Sequence, residues 1–511
     1  MFGVVLKLYQ ILCPFIIRTV MIYVLGMEYV GLNTLFNSIL QVLNMTELGV
    51  GTAMVFSMYK PIADDDTETI QKMMNLYRMY YRIIGLLIAI IGIAITPLVP
   101  RLIADTSAIG LNLYYLYWIN LFYTVLSYWF FAYKGSILQA HQRTDIASKI
   151  MLVSNTCMYV AQISLLLLFK NYYYYLLGIL LGQALTNSIT AIVVDKFYPQ
   201  YKPKGKFQKH EIASINQRVK DLFTAKVGGV VQSSTDSIVI STFLGLTALA
   251  QYNNYYYIMN SVFGFILLLF NSCLAGIGNS MVLDSKEKNY NDFLKITFLT
   301  EWIIIFCSSC FLCIYQPFIK LWVGDDNVLP FGIVVCLVLY FYFITTNQML
   351  CLYKDAAGIW HKDRYRPLVT ALVNLFLNLA LVKYLGLYGI VMSTVISLAV
   401  IGMPWLIRNL FQDVFGRKAT EFIKYLVNYF IILVCSCVIT FMLCSKLPGE
   451  GLINIVYRLI VCLLIPNLLL LVITSKTKLF AEALALVDQL FGKKLSRITV
   501  LNKLLHGGDK L

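Results

Sequence analysis

Gly49-Val50-Gly51-Thr52-Ala53-Met54-Val55 returns 227 residues later as Gly276-Ile277-Gly278-Asn279-Ser280-Met281-Val282. Working back from each copy, Lys7, Leu25 and Gly26 match Lys226, Leu244 and Gly245 at an offset of 219. The eight extra residues fall inside the apolar runs that end in the glycine motif, so the second copy is longer there. Both copies begin at an odd-numbered apolar run and therefore point the same way. Parallel repeats of this kind are related by an axis along the membrane normal, and they are a common build for alternating-access transporters.

The composition agrees. Of 511 residues, 59% are hydrophobic and 13% charged, against roughly 45–50% and about 25% in soluble domains. A spanning helix needs roughly 20 apolar residues. Fourteen runs qualify, at about 2–25, 33–58, 83–100, 112–132, 150–169, 173–194, 222–244, 248–281, 294–316, 329–351, 367–383, 388–407, 422–444 and 453–474. The eighth is too long for one straight crossing and is expected to tilt or kink near Gly264. What remains suffices for short loops and a tail, which excludes a separate soluble catalytic domain. The expected fold is thus an all-α polytopic membrane protein of about 14 transmembrane helices. Two parallel-repeat six-helix lobes would surround a central cavity, with a C-terminal helix pair added.

Charge placement sets the expected orientation. The formal charge is +15, from 41 Lys+Arg against 26 Asp+Glu. Thirty-one of the basic residues fall in the connections after even-numbered runs and in the tail, and six after odd-numbered runs. Four more, Lys7, Arg18, Lys226 and Lys295, lie within or at the edge of runs. The positive-inside bias then places both termini in the cytoplasm. The expected organisation is an N-lobe over 1–198, a basic interlobe linker over 199–220, a C-lobe over 221–410, a helix pair over 411–474 and a basic tail over 475–511. The tail carries Leu479, Leu486 and Leu490 at helical spacing, and would lie on an anionic leaflet or stand solvated.

Polar residues in a span face protein or water, not lipid. Lys7, Gln10, Pro14 and Arg18 share one helix face, as do Asn33, Asn37, Gln41, Asn44 and Gly51, with Glu47 beside them. The second copy repeats the device with Lys226, Ser233 and Asp236, then Asn253, Asn260 and Asn271. Asn155, Gln162, Asn187, Asn347, Gln348, Asn374 and Asn378 add further amides. Amides glue helices together at about 0.6–2 kcal/mol each, or they line a hydrophilic cavity suited to sugars; their number in both halves favours the cavity. Arg18, Asn33, Asn37, Gln41, Asn44, Asn253, Asn260 and Asn271 are the candidate substrate-binding residues. Glu47 and Asp236 are the candidate ion-coupling residues, since a carboxylate in a low-dielectric wall can take a proton or Na⁺. An Arg18–Glu47 ion pair that only holds two helices together is the plainer alternative.

Other chemistry is not indicated. Cys307, Cys310 and Cys313 have metal-like spacing but lie inside an apolar run, and read as small packing residues rather than a metal site. Asp64-Asp65-Asp66 reads as a solvated loop. There is no Walker A motif, no cofactor is called for, and nucleic acid is not an expected partner. Short connections argue against a polysaccharide polymerase or glycosyltransferase.

The stretches from Lys7-Leu-Tyr-Gln to Leu25-Gly26, then Glu47-Leu-Gly-Val-Gly51, then Asp236-Ser-Ile-Val-Ile-Ser-Thr-Phe-Leu-Gly245 resemble the polysaccharide transporter family. That family covers repeat-unit and O-antigen-type flippases within the multidrug/oligosaccharidyl-lipid/polysaccharide exporter superfamily. The resemblance implies a non-enzymatic flippase of a bacterial plasma membrane. It would carry undecaprenyl-diphosphate-linked oligosaccharide from the inner to the outer leaflet for capsule or exopolysaccharide synthesis. Alternating access would be driven by an ion gradient or membrane potential. The partners implied are the lipid-linked oligosaccharide, membrane lipids, a coupling proton or sodium ion, and a polysaccharide polymerase. Arg18 matches the basic residue late in the family's first helix and would meet the pyrophosphate; Asp236 matches the acidic residue of the seventh. Two features depart from the pattern. The chain starts inside helix one without a short basic leader, and few cations line the expected cavity. A multidrug or cation exporter of the same superfamily is the alternative.

Overall fold

The computed structural model describes residues 2–106, 109–449 and 451–490. Among them are only helices and their connections, without a strand. In chain order the helices begin with α1 (Phe2–Leu25), α2 (Met27–Leu43), α3 (Val50–Ala63), α4 (Thr67–Ile95) and α5 (Leu113–Trp129). Next come α6 (Gly135–Ala140), α7 (Thr144–Phe169), α8 (Tyr172–Phe197), α9 (Lys209–Leu244) and α10 (Leu246–Leu283). They continue as α11 (Lys286–Val323), α12 (Phe331–Ala356), α13 (Trp360–Asp363), α14 (Arg366–Leu385) and α15 (Leu387–Ser397). The last are α16 (Met403–Asn409), α17 (Thr420–Ser445), α18 (Gly451–Thr474) and α19 (Lys478–Leu490).

Twelve segments among the described residues are long and apolar enough to cross a membrane. All fourteen expected runs fall on helices, but the count of fourteen is not established. The two outside the twelve are α5, with only 17 residues, and α9, whose middle carries Lys226, Gln232, Ser233, Ser234 and Asp236. One expectation about helix shape is corrected. The run at 33–58 is interrupted: α2 ends at Leu43, a tight turn covers Asn44–Glu47, and α3 starts at Val50. The long run around Gly264 forms a single 38-residue helix, α10, with no break at that glycine.

The chain divides into two compact units. The first holds the residues up to Asn253 together with Pro367–Gly386; the second holds Asn254–Arg366 and the residues from Leu387 onward. The segment read as a linker, 199–220, lies in the first unit and already contains the start of α9. It is pinned to α4 there. Gln71 Nε2 donates to the Gln200 carbonyl at 2.8 Å, Asn75 Nδ2 to the Gly205 carbonyl at 2.6 Å, and the Tyr80 hydroxyl to Asn216 at 2.6 Å.

The repeat is visible inside the first unit. Gly26 joins α1 to α2 with φ +99° and ψ 171°, and Gly245 joins α9 to α10 with φ +90° and ψ 175°. This backbone region is essentially restricted to glycine. Matched residues also touch each other across the repeat. The Thr247 hydroxyl donates to Glu28 Oε1 at 3.2 Å, and Asn253 Nδ2 donates to Thr34 Oγ1 at 2.9 Å. Each pair is 219 residues apart, which is the repeat offset itself. Contacts between a residue and its own mate mark a two-fold axis running between them. Gly31 permits the approach, because a methyl group there would strike the Leu246 carbonyl.

In the second unit α11 packs against α12, α17 and α18. The described part of the tail, α19, is not free. Phe480 and Ala483 are buried against Phe298 and Tyr429, and the Phe480 ring lies 5.9 Å from Trp302. The remainder of the tail, 491–511, lies outside the described residues.

Candidate functional site

The interruption between α2 and α3 builds the site. Asn44, Thr46 and Glu47 stand where the helix would continue, and short polar side chains there compete for backbone partners. The Thr46 hydroxyl donates to the Leu43 carbonyl at 3.1 Å. Gly49 then takes φ +89°. A Cβ on it would lie 2.9 Å from the Val219 carbonyl oxygen and 2.7 Å from Leu222 Cβ, so only glycine lets the turn sit against α9. The turn thereby carries the Glu47 carboxylate into the body of the unit.

Glu47 accepts from the Tyr81 hydroxyl at 3.1 Å, and Tyr81 in turn receives the Tyr77 hydroxyl at 2.7 Å. Tyr128 closes the ring. It meets Tyr81 edge-on with centroids 5.4 Å apart and donates to Asn44 Oδ1 at 3.2 Å. Lys226 is the cation that acts on Glu47, and its ammonium donates to Thr52 Oγ1 at 3.1 Å. Arg18 sits elsewhere. Its guanidinium donates to the Ala250 carbonyl at 3.3 Å, and its charge reaches Tyr175. The contacts seen for Arg18 and for Glu47 thus go to different partners.

Asp236 on α9 forms a second buried centre. Asn378 Nδ2 donates to Asp236 Oδ1 at 2.6 Å and also approaches Asn374 Oδ1 at 3.4 Å. Both asparagines are fully buried and the aspartate nearly so. The Asn378 amide nitrogen thus bridges the Asp236 carboxylate and the Asn374 amide oxygen, and Asn378 Oδ1 is buried without a hydrogen-bond partner.

The remaining candidates divide by exposure. Gln41 bridges to α9, donating to Ser233 Oγ at 3.2 Å and accepting from the Ser234 hydroxyl at 3.2 Å. Asn33 accepts from the Tyr172 hydroxyl at 3.1 Å, and Asn253 holds Thr34. Asn37 and Gln41 in the first unit, and Asn260 and Asn271 in the second, are exposed.

Sequence reasoning missed Tyr77, Tyr81 and Tyr128. Tyr77 and Tyr81 are spaced i, i+4 on one face of α4, but the apolar run begins only at 83, which leaves both outside it. It also missed Glu301, a fully buried carboxyl on α11 that accepts from the Thr346 hydroxyl at 3.2 Å and whose Oε2 has no hydrogen-bond partner. The rule that selected Glu47, a carboxylate inside an apolar run, would have found it. The expected helix packing of Cys307, Cys310 and Cys313 also needs refinement: Cys313 is buried against Cys444 of α17 and Cys462 of α18.

An all-helical chain with twelve segments long and apolar enough to cross a membrane, and with a repeated helix–glycine–helix turn, defines the class of a multi-pass membrane protein. Solved structures share that fold. A lipid II flippase MurJ in an inward closed conformation superposes with TM-score 0.65 at 15% identity, covering 90% of this chain and 98% of its own. An inward-facing multidrug resistance MATE family transporter of the MOP superfamily gives 0.62 at 14% identity, with 78% and 93% covered. A MOP superfamily transporter from Pyrococcus furiosus, described as having a binding pocket of reversed polarity, gives 0.55 at 16%, with 80% and 93% covered. A search of curated protein sequences finds no match. The model of the polysaccharide biosynthesis protein family matches residues 2–274, more than half of the chain. The chain belongs to that family.

Proposed function

We propose that this protein is a flippase for lipid-linked oligosaccharide, moving undecaprenyl-diphosphate-linked repeat units from the inner to the outer leaflet of a bacterial plasma membrane. The observation that carries the reading is that Asn37 and Gln41 on α2 in the first unit, and separately Asn260 and Asn271 on α10 in the second, are exposed amides. These are groups that hydrogen-bond sugar hydroxyls, and they stand on helices otherwise built for lipid. Arg18, half-buried late in α1, would meet the diphosphate, because a guanidinium fork matches its paired oxygens. Membership of a polysaccharide biosynthesis family and the fold of a lipid II flippase support the cargo class.

Transport would proceed by alternating access of two lobes, one over 1–198 and one over 221–410. The lipid tail would remain in the bilayer, and both termini would be cytoplasmic. Asp236 would take the coupling sodium ion or proton. Glu47, held by Tyr81, would act as a second such site. A polysaccharide polymerase would consume the flipped unit.

Depleting the protein tests this. Oligosaccharide diphosphate lipid should accumulate on the inner leaflet alone, as probed by an impermeant lectin on spheroplasts and on inverted vesicles, with polymer lost. Normal polymer with new drug sensitivity would favour an exporter instead. Unpolymerised units reaching the outer face would point to a polymerase.

A further inference from the structure

Three cysteines from three helices of the second unit meet at one point. The thiols of Cys313 on α11, Cys444 on α17 and Cys462 on α18 all lie within 4.8 Å of one another, and all three residues have zero exposure. Cys310, Ile314, Phe441, Leu447 and Val461 wall the point off. Arg458, one turn before Cys462, sits beside the cluster. Its Nη1 donates to the Cys313 carbonyl at 2.9 Å, its Nε donates to Asn454 Oδ1 at 2.6 Å, and its charge acts on Cys444.

We propose that Cys313, Cys444 and Cys462 bind one thiophilic divalent d¹⁰ cation of the zinc class as three thiolates. The spacing fits. Metal–sulfur bonds of about 2.3 Å in a tetrahedron set sulfur pairs roughly 3.8 Å apart, so the triangle needs to contract by less than about 1 Å. The charge fits as well. Three thiolates and a divalent ion leave one negative charge, and Arg458 supplies the positive charge that neutralises it, which a buried site in apolar surroundings requires. A monovalent ion would leave the site one charge short. The Ser309 carbonyl, 3.8 Å from the Cys462 sulfur, or a water would fill the fourth position. Three protons leave on binding, one from each thiol, so affinity rises with pH. The ion would tie α11 to the consecutive helices α17 and α18, which lie far from it in sequence.

Titrating the reduced full-length protein in detergent with cadmium chloride tests this. A thiolate-to-cadmium charge-transfer band should grow and saturate at one ion per chain, and zinc should compete for it. Cys462→Ala should abolish the band, while Cys307→Ala, on the same helix but outside the triangle, should keep it. Arg458→Gln should weaken binding about tenfold, the scale of a lost outer-sphere partner. Cys444→Ser serves where Cys462→Ala is not monodisperse. The proposal is overturned by absence of the band, by a band that survives in Cys462→Ala, or by a disulfide between two of the three in the protein as isolated.

Discussion

The segment from Met27 to Ala63 and helix α10 are two copies of one sequence pattern with different outcomes. At an offset of 227, Asn44 corresponds to Asn271 and Gly49 to Gly276, but Glu47 corresponds to Leu274. The first copy breaks at those positions, with Gly49 in the left-handed region and pressed against α9. The second runs through as helix, and nothing lies within 4 Å of where a Gly276 side chain would begin. The lesson concerns tertiary control. The same glycine is a hinge where a neighbouring backbone crowds it and an ordinary helical residue where nothing does. Only the broken copy presents a carboxylate to a tyrosine cage.

Gly49→Ala against Gly276→Ala should produce the largest contrast. At Gly49 a methyl group meets both an unfavourable φ and the α9 backbone, a combined cost of roughly 2–4 kcal/mol. We expect little folded protein by thermal melting in detergent. Gly276→Ala should melt at or slightly above the wild-type temperature, because alanine favours helix by about 1 kcal/mol. Equal losses at both sites would remove the distinction.

Exchanging the chemistry sharpens the comparison. Glu47→Leu, which installs what the second copy carries, leaves the Tyr81 hydroxyl without its acceptor and removes the cage's carboxylate. Flipping by this variant should fall by at least about tenfold, the equivalent of 1.4 kcal/mol, with expression retained. Leu274→Glu should not substitute for it in the double variant. Next in size is Asp236→Asn, which should flatten the dependence of transport on the ion gradient while leaving gradient-independent exchange measurable. A gradient response unchanged from wild type would retire Asp236. The smallest effect concerns the repeat axis. In a double-mutant cycle, Thr34→Ala and Asn253→Ala should couple by about 0.6 kcal/mol, the usual strength of a hydrogen bond between membrane helices. Strictly additive losses would mean that the mated contact contributes nothing.

Much of this was legible in the sequence because hydropathy and mated positions are local properties. Leu25-Gly26 and Leu244-Gly245 stand out as mated positions, and the expected runs fall on helices, the run at 33–58 on two. The α2–α3 break was not legible. Asn44 to Gly49 and Asn271 to Gly276 both open on asparagine and close on glycine, and the deciding contact comes from Val219 and Leu222, far away in the chain. The tyrosine cage was hidden for a related reason: α4 begins at Thr67, so Tyr77 and Tyr81 belong to a helix longer than its apolar core. Cys444 and Cys462 stand in separate runs from Cys313, and no spacing rule joins them. The run at 222–244 falls on α9, whose polar middle around Lys226 and Asp236 leaves it outside the twelve apolar segments.

The most direct test places the purified protein in vesicles with a fluorescent undecaprenyl-diphosphate oligosaccharide, and follows loss of the label to an impermeant quencher. The account predicts ion-gradient-stimulated movement between leaflets that Arg18→Ala reduces at least tenfold, about 1.4 kcal/mol. Movement no faster than in empty vesicles, with drug cations transported instead, would contradict it.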